Sequence, residues 1–148
     1  MEGGDISNEV SPRLLFVFEN LLGLLPTGEH VGQVLRFYKK KRYAKAIEVF
    51  EVNEQLAHRI WDMTWRLKYS IEVVTWIPNS FHLYVKQWIE EQDLPISNVS
   101  YENPTLFARK LSYMPHVAAI FDPDPAHQFT WGSKGRILSP YTDPMTVL

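Results

Sequence analysis

Three consecutive residues, Phe18, Glu19 and Asn20, lie where an α/β protein would place its chemistry. Phe18 is the last residue of the apolar run Leu14–Phe18, and Glu19 and Asn20 follow it directly. Such a run predicts a strand that is covered on both faces. Ligands of a parallel sheet bind beyond the carboxyl ends of its strands, so we expect these three residues at the mouth of any site. A phenyl ring and a neutral amide are unsuited to nucleophilic or acid catalysis, which argues against an ordinary enzyme.

Polar residues end two further apolar runs. Thr75 lies near the end of the run Ile71–Trp76, and Asp122 and Asp124 follow the run Val117–Phe121. Carboxylates in such a position can hold a metal ion or move a proton. Threonine is also common in strands for packing reasons, and Asp-Pro-Asp-Pro is equally typical of a rigid turn with a helix cap. Both interpretations stay open at this point.

The chain alternates strand patterns with helix patterns, which predicts an α/β fold: a three-layer, Rossmann-like, mostly parallel sheet. The expected helices are supported by apolar spacings of three and four residues and by Asn53 and Asn103 as caps. The predicted strands cover residues 13–18, 71–76, 95–99, 117–121 and 136–138, and the predicted helices cover residues 54–68, 80–92, 104–113 and 126–131.

A β-hairpin flap is predicted after the first strand. Two arms rich in β-branched and aromatic residues, Val31–Tyr38 and Tyr43–Phe50, flank the basic segment Lys39–Arg42, which would form the tip. A helix over Ala44–Phe50 is the competing interpretation.

The composition predicts one globular domain. The 148 residues are 45% hydrophobic and 22% charged, with a net charge of −2, so the whole chain has no electrostatic bias towards nucleic acid or membranes. Residues 1–12 are predicted to be a flexible tail and residues 13–148 a single domain. The absence of cysteine excludes disulfides and thiolate sites and favours a cytoplasmic, intracellular location. No apolar run is long enough to span a bilayer, so no membrane partner is expected.

The order of these parts resembles the haloacid-dehalogenase-like (HAD-like) superfamily, in particular its small capless members of phages and actinobacteria. The local likeness is best at Val73–Trp76, at Lys110-Leu111 and at Val117–Asp124, and the whole resemblance covers about residues 13–140. It implies a phosphate-handling site at the carboxyl ends of the strands.

In that family the first strand ends in Asp-x-Asp, where the first aspartate attacks phosphorus and the second handles the leaving-group proton. The corresponding positions here are Phe18 and Asn20, with Glu19 between them. A register shift of one residue would make Glu19 the nucleophile and Leu21 the acid. The first register lacks both carboxylates and the shifted register lacks the acid, so the resemblance implies a pocket that has lost its catalytic pair.

The other family positions are partly retained. Thr75 matches the residue that contacts phosphate, and Lys110 matches the lysine that neutralises it, although Lys110 could equally be a surface lysine. Asp122 matches the first acid of the metal-holding pair, but its expected neighbour is Pro123, with Asp124 one position too far along. Mg²⁺ needs several hard oxygen ligands, so no cofactor is expected unless a residual phosphatase activity survives.

Two groups of residues are candidates for binding. Basic residues among aromatic ones can hold phosphate backbones, but they are also common in solvated turns. The basic group consists of Lys39, Lys40, Lys41, Arg42 and Lys45. The second group is Trp61 and Trp65, which do not fit the narrow apolar face of their helix, so we expect either a deeply buried helix or an exposed contact surface for another protein.

The sequence therefore predicts a catalytically inactive HAD-like protein that acts by binding a protein partner of unknown identity. Two alternatives stay open. One is a residual Mg²⁺-dependent phosphatase that uses Glu19 or Asp122, and the other is a nucleic-acid-binding module that uses residues 39–45.

Overall fold

A five-stranded parallel sheet forms the centre of the protein in the computed structural model, which describes residues 11–76 and 82–148. The strands are β1 (Arg13–Val17), β2 (Gly23–Leu24), β3 (Glu51–Val52), β4 (Ser70–Thr75), β5 (Ile96–Tyr101), β6 (Val117–Asp122) and β7 (Gly135–Ile137). The main sheet has the order β5-β4-β1-β6-β7, and each neighbouring pair is parallel. The predicted α/β fold with a Rossmann-like parallel sheet is confirmed.

Helices cover both faces of this sheet. They are α1 (Gly28–Lys39), α2 (Tyr43–Glu48), α3 (Glu54–Trp65), α4 (His82–Glu91) and α5 (Pro104–Leu111), with short 3₁₀ helices at Pro125–His127, Gly132–Lys134 and Pro144–Thr146. Two predicted helix caps are confirmed, since the Asn53 and Asn103 side chains accept backbone N–H bonds at the starts of α3 and α5. None of the described helices is long and apolar enough to cross a membrane.

Side chains of β1 divide the core into two parts, because successive residues of a strand point to opposite faces. Leu14, Phe16 and Phe18 belong to the large cluster that the first four helices help to build. Leu15 and Val17 belong to a smaller cluster that includes residues of α5. The central strand is therefore buried on both faces, as its continuous apolar run predicts.

The predicted β-hairpin over residues 31–50 is wrong, because these residues form α1 and α2. Val34, Phe37 and Tyr38 are spaced three and four apart and turn one helix face towards the core. The Thr27 side chain caps this helix by accepting the His30 N–H bond. Packing at helical spacing has therefore overridden the β propensity of the individual residues.

The segment Lys39–Arg42 consequently joins two helices rather than two strands. Lys41 adopts a left-handed backbone conformation with φ 57°, which allows the sharp reversal between α1 and α2. An antiparallel ribbon is nevertheless present, since β2 pairs with β3 on either side of the helix pair. The ribbon is thus formed by residues outside the two predicted arms.

Several predicted boundaries differ from the structure or fall outside it. Helix α3 ends at Trp65 instead of residue 68, and the predicted helix 126–131 is only the 3₁₀ turn Pro125–His127. Strand β5 extends to Tyr101, beyond the predicted end at residue 99. The predicted tail, for residues 1–10, and the expected strand stop at Pro78-Asn79 lie outside the described residues.

Gly23 allows the chain after β1 to approach the Phe18 ring. A Cβ atom on Gly23 would lie 2.6 Å from Cζ of Phe18, and Phe18 is itself held between Phe50 and Trp88 at ring-centroid distances of 4.9 and 5.2 Å. The ring therefore has little room to move away from an added methyl group.

We expect Gly23→Ala to destabilise the fold by about 1–3 kcal/mol, since overpacking a filled core costs that much. Gly28→Ala is the matched control, because a Cβ there meets nothing within 4 Å, and it should change stability by less than about 1 kcal/mol. Urea unfolding followed by tryptophan fluorescence measures both variants. Equal stability of the two would contradict the close packing described above.

Candidate functional site

The carboxyl ends of β1, β4 and β6 lie side by side at one edge of the sheet. They carry Glu19, Thr75 and Asp122, three of the residues that the sequence analysis singled out. Parallel strands with a central β1 bring their ends to the same edge, which is where ligands of such sheets bind. This edge is therefore the candidate site.

The Glu19 carboxylate is held by donors from the end of β4. The hydroxyl of Thr75 donates to Oε2 of Glu19 over 2.7 Å, and the backbone N–H of Trp76 donates to the same oxygen over 3.1 Å. Thr75 is fully buried and Glu19 is half-buried. Charge-assisted bonds of this kind are stronger than neutral ones, so the carboxylate is firmly placed.

Tyr38 links the helix pair to this carboxylate. Burial raises the pKa of the Tyr38 phenol far above its usual range, and the nearby Glu19 charge raises that pKa further. A negative carboxylate disfavours a second negative charge beside it, so the phenol stays neutral at every physiological pH. Helix α1 thus lies close to the candidate site.

Phe18 does not lie at the mouth of a cleft, where the sequence analysis placed it. Its side chain is 0% exposed and belongs to the large core cluster. Phe18 belongs to the same core cluster as Phe16, two residues earlier, so the side-chain alternation of β1 continues to this position. Asn20, two residues after Phe18, is exposed and adopts φ 63° in the turn that follows.

Asp122 is fully buried, and its carboxylate accepts three hydrogen bonds. Its partners are the Trp131 Nε1–H over 3.0 Å, the backbone N–H of Asp124 over 2.9 Å and the His127 Nδ1 over 2.6 Å. A buried carboxylate needs such donors to offset its desolvation. These three bonds come from the segment just after β6, so this acid organises the chain around it.

Asp124 has a different environment from Asp122. Its side chain is half exposed and caps the 3₁₀ turn by accepting the Ala126 N–H bond over 2.9 Å. Its second oxygen lies 3.8 Å from Nε2 of His127. The turn-and-cap interpretation of this segment therefore describes its local geometry well.

His127 and Trp131 are site residues that the sequence analysis missed. They follow Asp122 by five and nine residues, a spacing that matches no recognised ligand motif, and a 3₁₀ turn rather than a regular helix folds them back onto it. Trp76 also belongs here, since its ring stacks on Trp131 at 5.6 Å with planes 12° apart. Asp122 could be found from the sequence because it is a polar residue at the end of a predicted strand. No comparable sequence signal marks His127 and Trp131, which fold back onto it.

Lys110 does not reach the candidate site. Its ammonium group pairs with Glu102 over 3.1 Å, at the end of β5 and two strands away from β1. No described hydrogen bond or ion pair joins it to Glu19 or Asp122. Since the Lys110 side chain is 59% exposed, the surface-lysine alternative fits its position.

Among residues 11–76 and 82–148, no three histidine, aspartate or glutamate side chains gather in a way that could hold a metal ion. Asp122 and Glu19 lie on adjacent strand ends, but each accepts hydrogen bonds from the protein itself. The protein's own donors therefore occupy some of the acceptor sites of both carboxylates.

Comparison with protein-family models, curated proteins and solved structures found no match for this chain. The geometry of the candidate site and the resemblance of the sequence therefore carry the functional argument.

The predicted basic group lies on the helix pair. The four residues from Lys39 to Arg42 are exposed, and no ion pair joins any of them to a described carboxylate. Lys45 pairs with Glu48 over 3.6 Å. The neighbouring aromatic residues Phe37, Tyr38 and Tyr43 are partly buried and pack against the core, which leaves less of each ring to stack on bases.

The two candidate tryptophans form a surface of their own on α3. Their rings stack with centroids 6.2 Å apart and planes 9° apart, and Trp65 is 65% exposed. Trp61 is half-buried and lines a groove of about 300 Å³ with Val52 and Leu94. Of the two alternatives for this helix, the exposed surface is the one observed.

A larger cavity of about 340 Å³ lies between α3 and the C-terminal segment and shares no residue with the candidate site. Arg59 and Asp143 form an ion pair of 2.5 Å at its wall. The bond from Arg59 holds the pKa of the Asp143 carboxyl below its usual range. The cation of this cavity is thus already neutralised by the protein.

Phe18→Asp, which would restore an Asp-x-Asn pattern at the end of β1, should destabilise the protein rather than create a phosphatase. The new carboxylate would replace a ring packed between Phe50 and Trp88, at a cost of about 3 kcal/mol or more. Urea unfolding and a Mg²⁺-dependent phosphatase assay measure the two effects, with Phe18→Leu as the apolar control. A stable, active Phe18→Asp variant would contradict this placement of the side chain.

Proposed function

We propose that this chain is a catalytically inactive HAD-like protein that acts inside the cell by binding another protein. The observation that carries the proposal is the state of the strand ends, where an aromatic ring fills the core at position 18 and the chain's own groups donate hydrogen bonds to Glu19 and Asp122.

Glu19 argues against phosphate binding at this edge. The resemblance assigns phosphate contact to Thr75, yet the Thr75 hydroxyl and the next backbone N–H both donate to the Glu19 carboxylate. A phosphate that approached these donors would meet a fixed negative charge a few ångströms away, and at low dielectric that repulsion amounts to several kcal/mol. The edge therefore disfavours the substrate class that the family handles.

The sheet order supports the resemblance itself. A HAD-like site needs the ends of the strands before positions 18, 75 and 122 to meet, and β4, β1 and β6 are neighbours in the sheet. The same order supports inactivity, because the acid at position 122 points into its own turn and bonds to Trp131 and His127. The strand order that such a site needs is thus present, while the reacting carboxylates are either absent or hydrogen-bonded within the protein.

The stacked Trp61 and Trp65 are the contact surface that we assign to the protein partner. Tryptophan is enriched among the residues that dominate binding energy, and such residues work best inside a polar rim. The Asp62 carboxylate and the Arg66 guanidinium supply that rim beside them, joined by two hydrogen bonds of 2.7 Å. An apolar centre with charged edges is typical of a non-obligate protein interface.

The exposed cations Lys39, Lys40, Lys41 and Arg42 support a second candidate, binding to a nucleic acid. Their lack of described carboxylate partners leaves them free to neutralise phosphates. Because the nearby aromatic residues are partly buried against the core, this binding would rest mainly on charge and would depend steeply on salt.

A Mg²⁺-dependent assay with para-nitrophenyl phosphate and a panel of nucleotides should detect no turnover by the wild-type chain. Loss of a nucleophile from a coupled set costs on the order of a millionfold in rate. Asp122→Asn and Glu19→Gln are the matched controls, since they remove a charge and keep the shape. Turnover that either substitution abolishes in a folded protein would establish the residual phosphatase instead.

Capture from extracts of the native cell should recover a protein that resists nuclease and high salt. A Trp61→Ser/Trp65→Ser variant should lose it, while a variant with glutamate at positions 39–42 should retain it, because the two surfaces are separate. A partner that disappears with nuclease or salt, and that needs the four cations, would favour the nucleic-acid candidate.

A further inference from the structure

Strand β5 forms an unprotected edge of the sheet. Within the described residues it pairs with β4 alone, and its sequence Ile96–Tyr101 contains no charged residue and no proline. Natural edge strands are usually blocked by lysine, proline or very short length, because an open edge pairs readily with another strand. The opposite edge, β7, is only three residues long and carries Arg136. The sequence therefore protects the β7 edge, but not the β5 edge, against pairing with another strand.

The direction of the open backbone groups follows from one hydrogen bond. The Glu102 N–H donates to the Thr75 carbonyl over 3.0 Å, so residue 102 faces β4. Because successive residues of a strand direct their N–H and C=O groups to opposite sides, Ser100 also faces β4, whereas Val99 and Tyr101 face away. Their four backbone groups are available to an added strand.

The two sides of β5 offer space for the side chains of an added strand. A groove of about 100 Å³ lies between β5 and α4 and is lined by the apolar Ile89, Leu94 and Ile96. On the other side, Asn98 and Ser100 border a groove of about 210 Å³ under α5. An added strand would therefore gain side-chain contacts on both faces besides its backbone bonds.

The charges beside this edge identify the occupant. Lys86 and Glu90 line the groove next to β5 and lie four residues apart on α4. A second copy placed by a two-fold axis runs its α4 in the opposite direction, and an axis that passes beside Trp88 would place Lys86 of each copy opposite Glu90 of the other. Such isologous complementarity favours a self-associating surface over an unrelated strand.

We propose that two copies of this chain pair through β5, antiparallel and edge to edge, and so join their sheets into one continuous sheet. The pairing uses the outward backbone groups of Val99 and Tyr101 and the reciprocal contacts between Lys86 and Glu90. It leaves the Trp61 and Trp65 surface on a different helix from the one beside the contact, so it adds to the proposed function without depending on it.

The wild-type chain of 148 residues is expected to dimerise in analytical ultracentrifugation, with a mass that rises from one chain to two as the concentration increases. Asn98→Lys should leave a folded monomer, because like charges on the paired edge repel, and Gln128→Lys, an exposed position outside this edge, should remain a dimer. Mixing Asn98→Lys with Asn98→Glu should restore the dimer. Circular dichroism and thermal unfolding check that each variant is folded.

A charge exchange tests the two-fold arrangement itself. Lys86→Glu alone and Glu90→Lys alone should each weaken dimerisation by on the order of tenfold, and the double exchange should restore it. A wild-type chain that is monomeric at every concentration overturns the proposal. So does a dimer that Asn98→Lys leaves unchanged, or a double exchange that fails to recover the dimer.

Discussion

The placement of Phe18 and Glu19, the two residues that follow β1, is the constraint on which the rest of the structure depends. Phe18 packs in the large core cluster, and Glu19 is half-buried at the point where the central strand ends between its two neighbours. Phe18 then dictates that residue 23 be glycine and that the chain turn sharply. Glu19 meanwhile takes the donors at the end of β4. A single pair of adjacent residues thus couples the filling of the core to the chemistry of the edge.

The centre of the main sheet was predictable because β1 and β6 lie in nearly uniform apolar runs. Leu14–Phe18 and Val117–Phe121 can hardly be accommodated except as strands buried on both faces, and the helices between them set the parallel order. Helix pair α1–α2 was not predictable in the same way. Its residues have high β propensity one by one, and only the contacts of Val34 and Ile47 with the core decide in favour of the helix.

Only the residues of the candidate site that lie at the ends of strands were predictable. Glu19, Thr75 and Asp122 each follow an apolar run, and the order of parallel strands brings them to one edge. Their hydrogen-bond partners were not predictable, because they depend on how short irregular segments return. His127 reaches Asp122 through a single 3₁₀ turn, and a periodic pattern of apolar residues does not predict such a turn.

Asn53 illustrates how far one side chain can connect this fold. Its oxygen caps α3, while its amide nitrogen donates to the carbonyl of Leu21 over 2.9 Å and to that of Pro140 over 2.6 Å. Pro140 is made 87 residues later in translation. During synthesis on the ribosome, Asn53 therefore lacks its Pro140 acceptor until residue 140 has emerged, so this corner of the fold is completed only 87 residues after Asn53 itself is made.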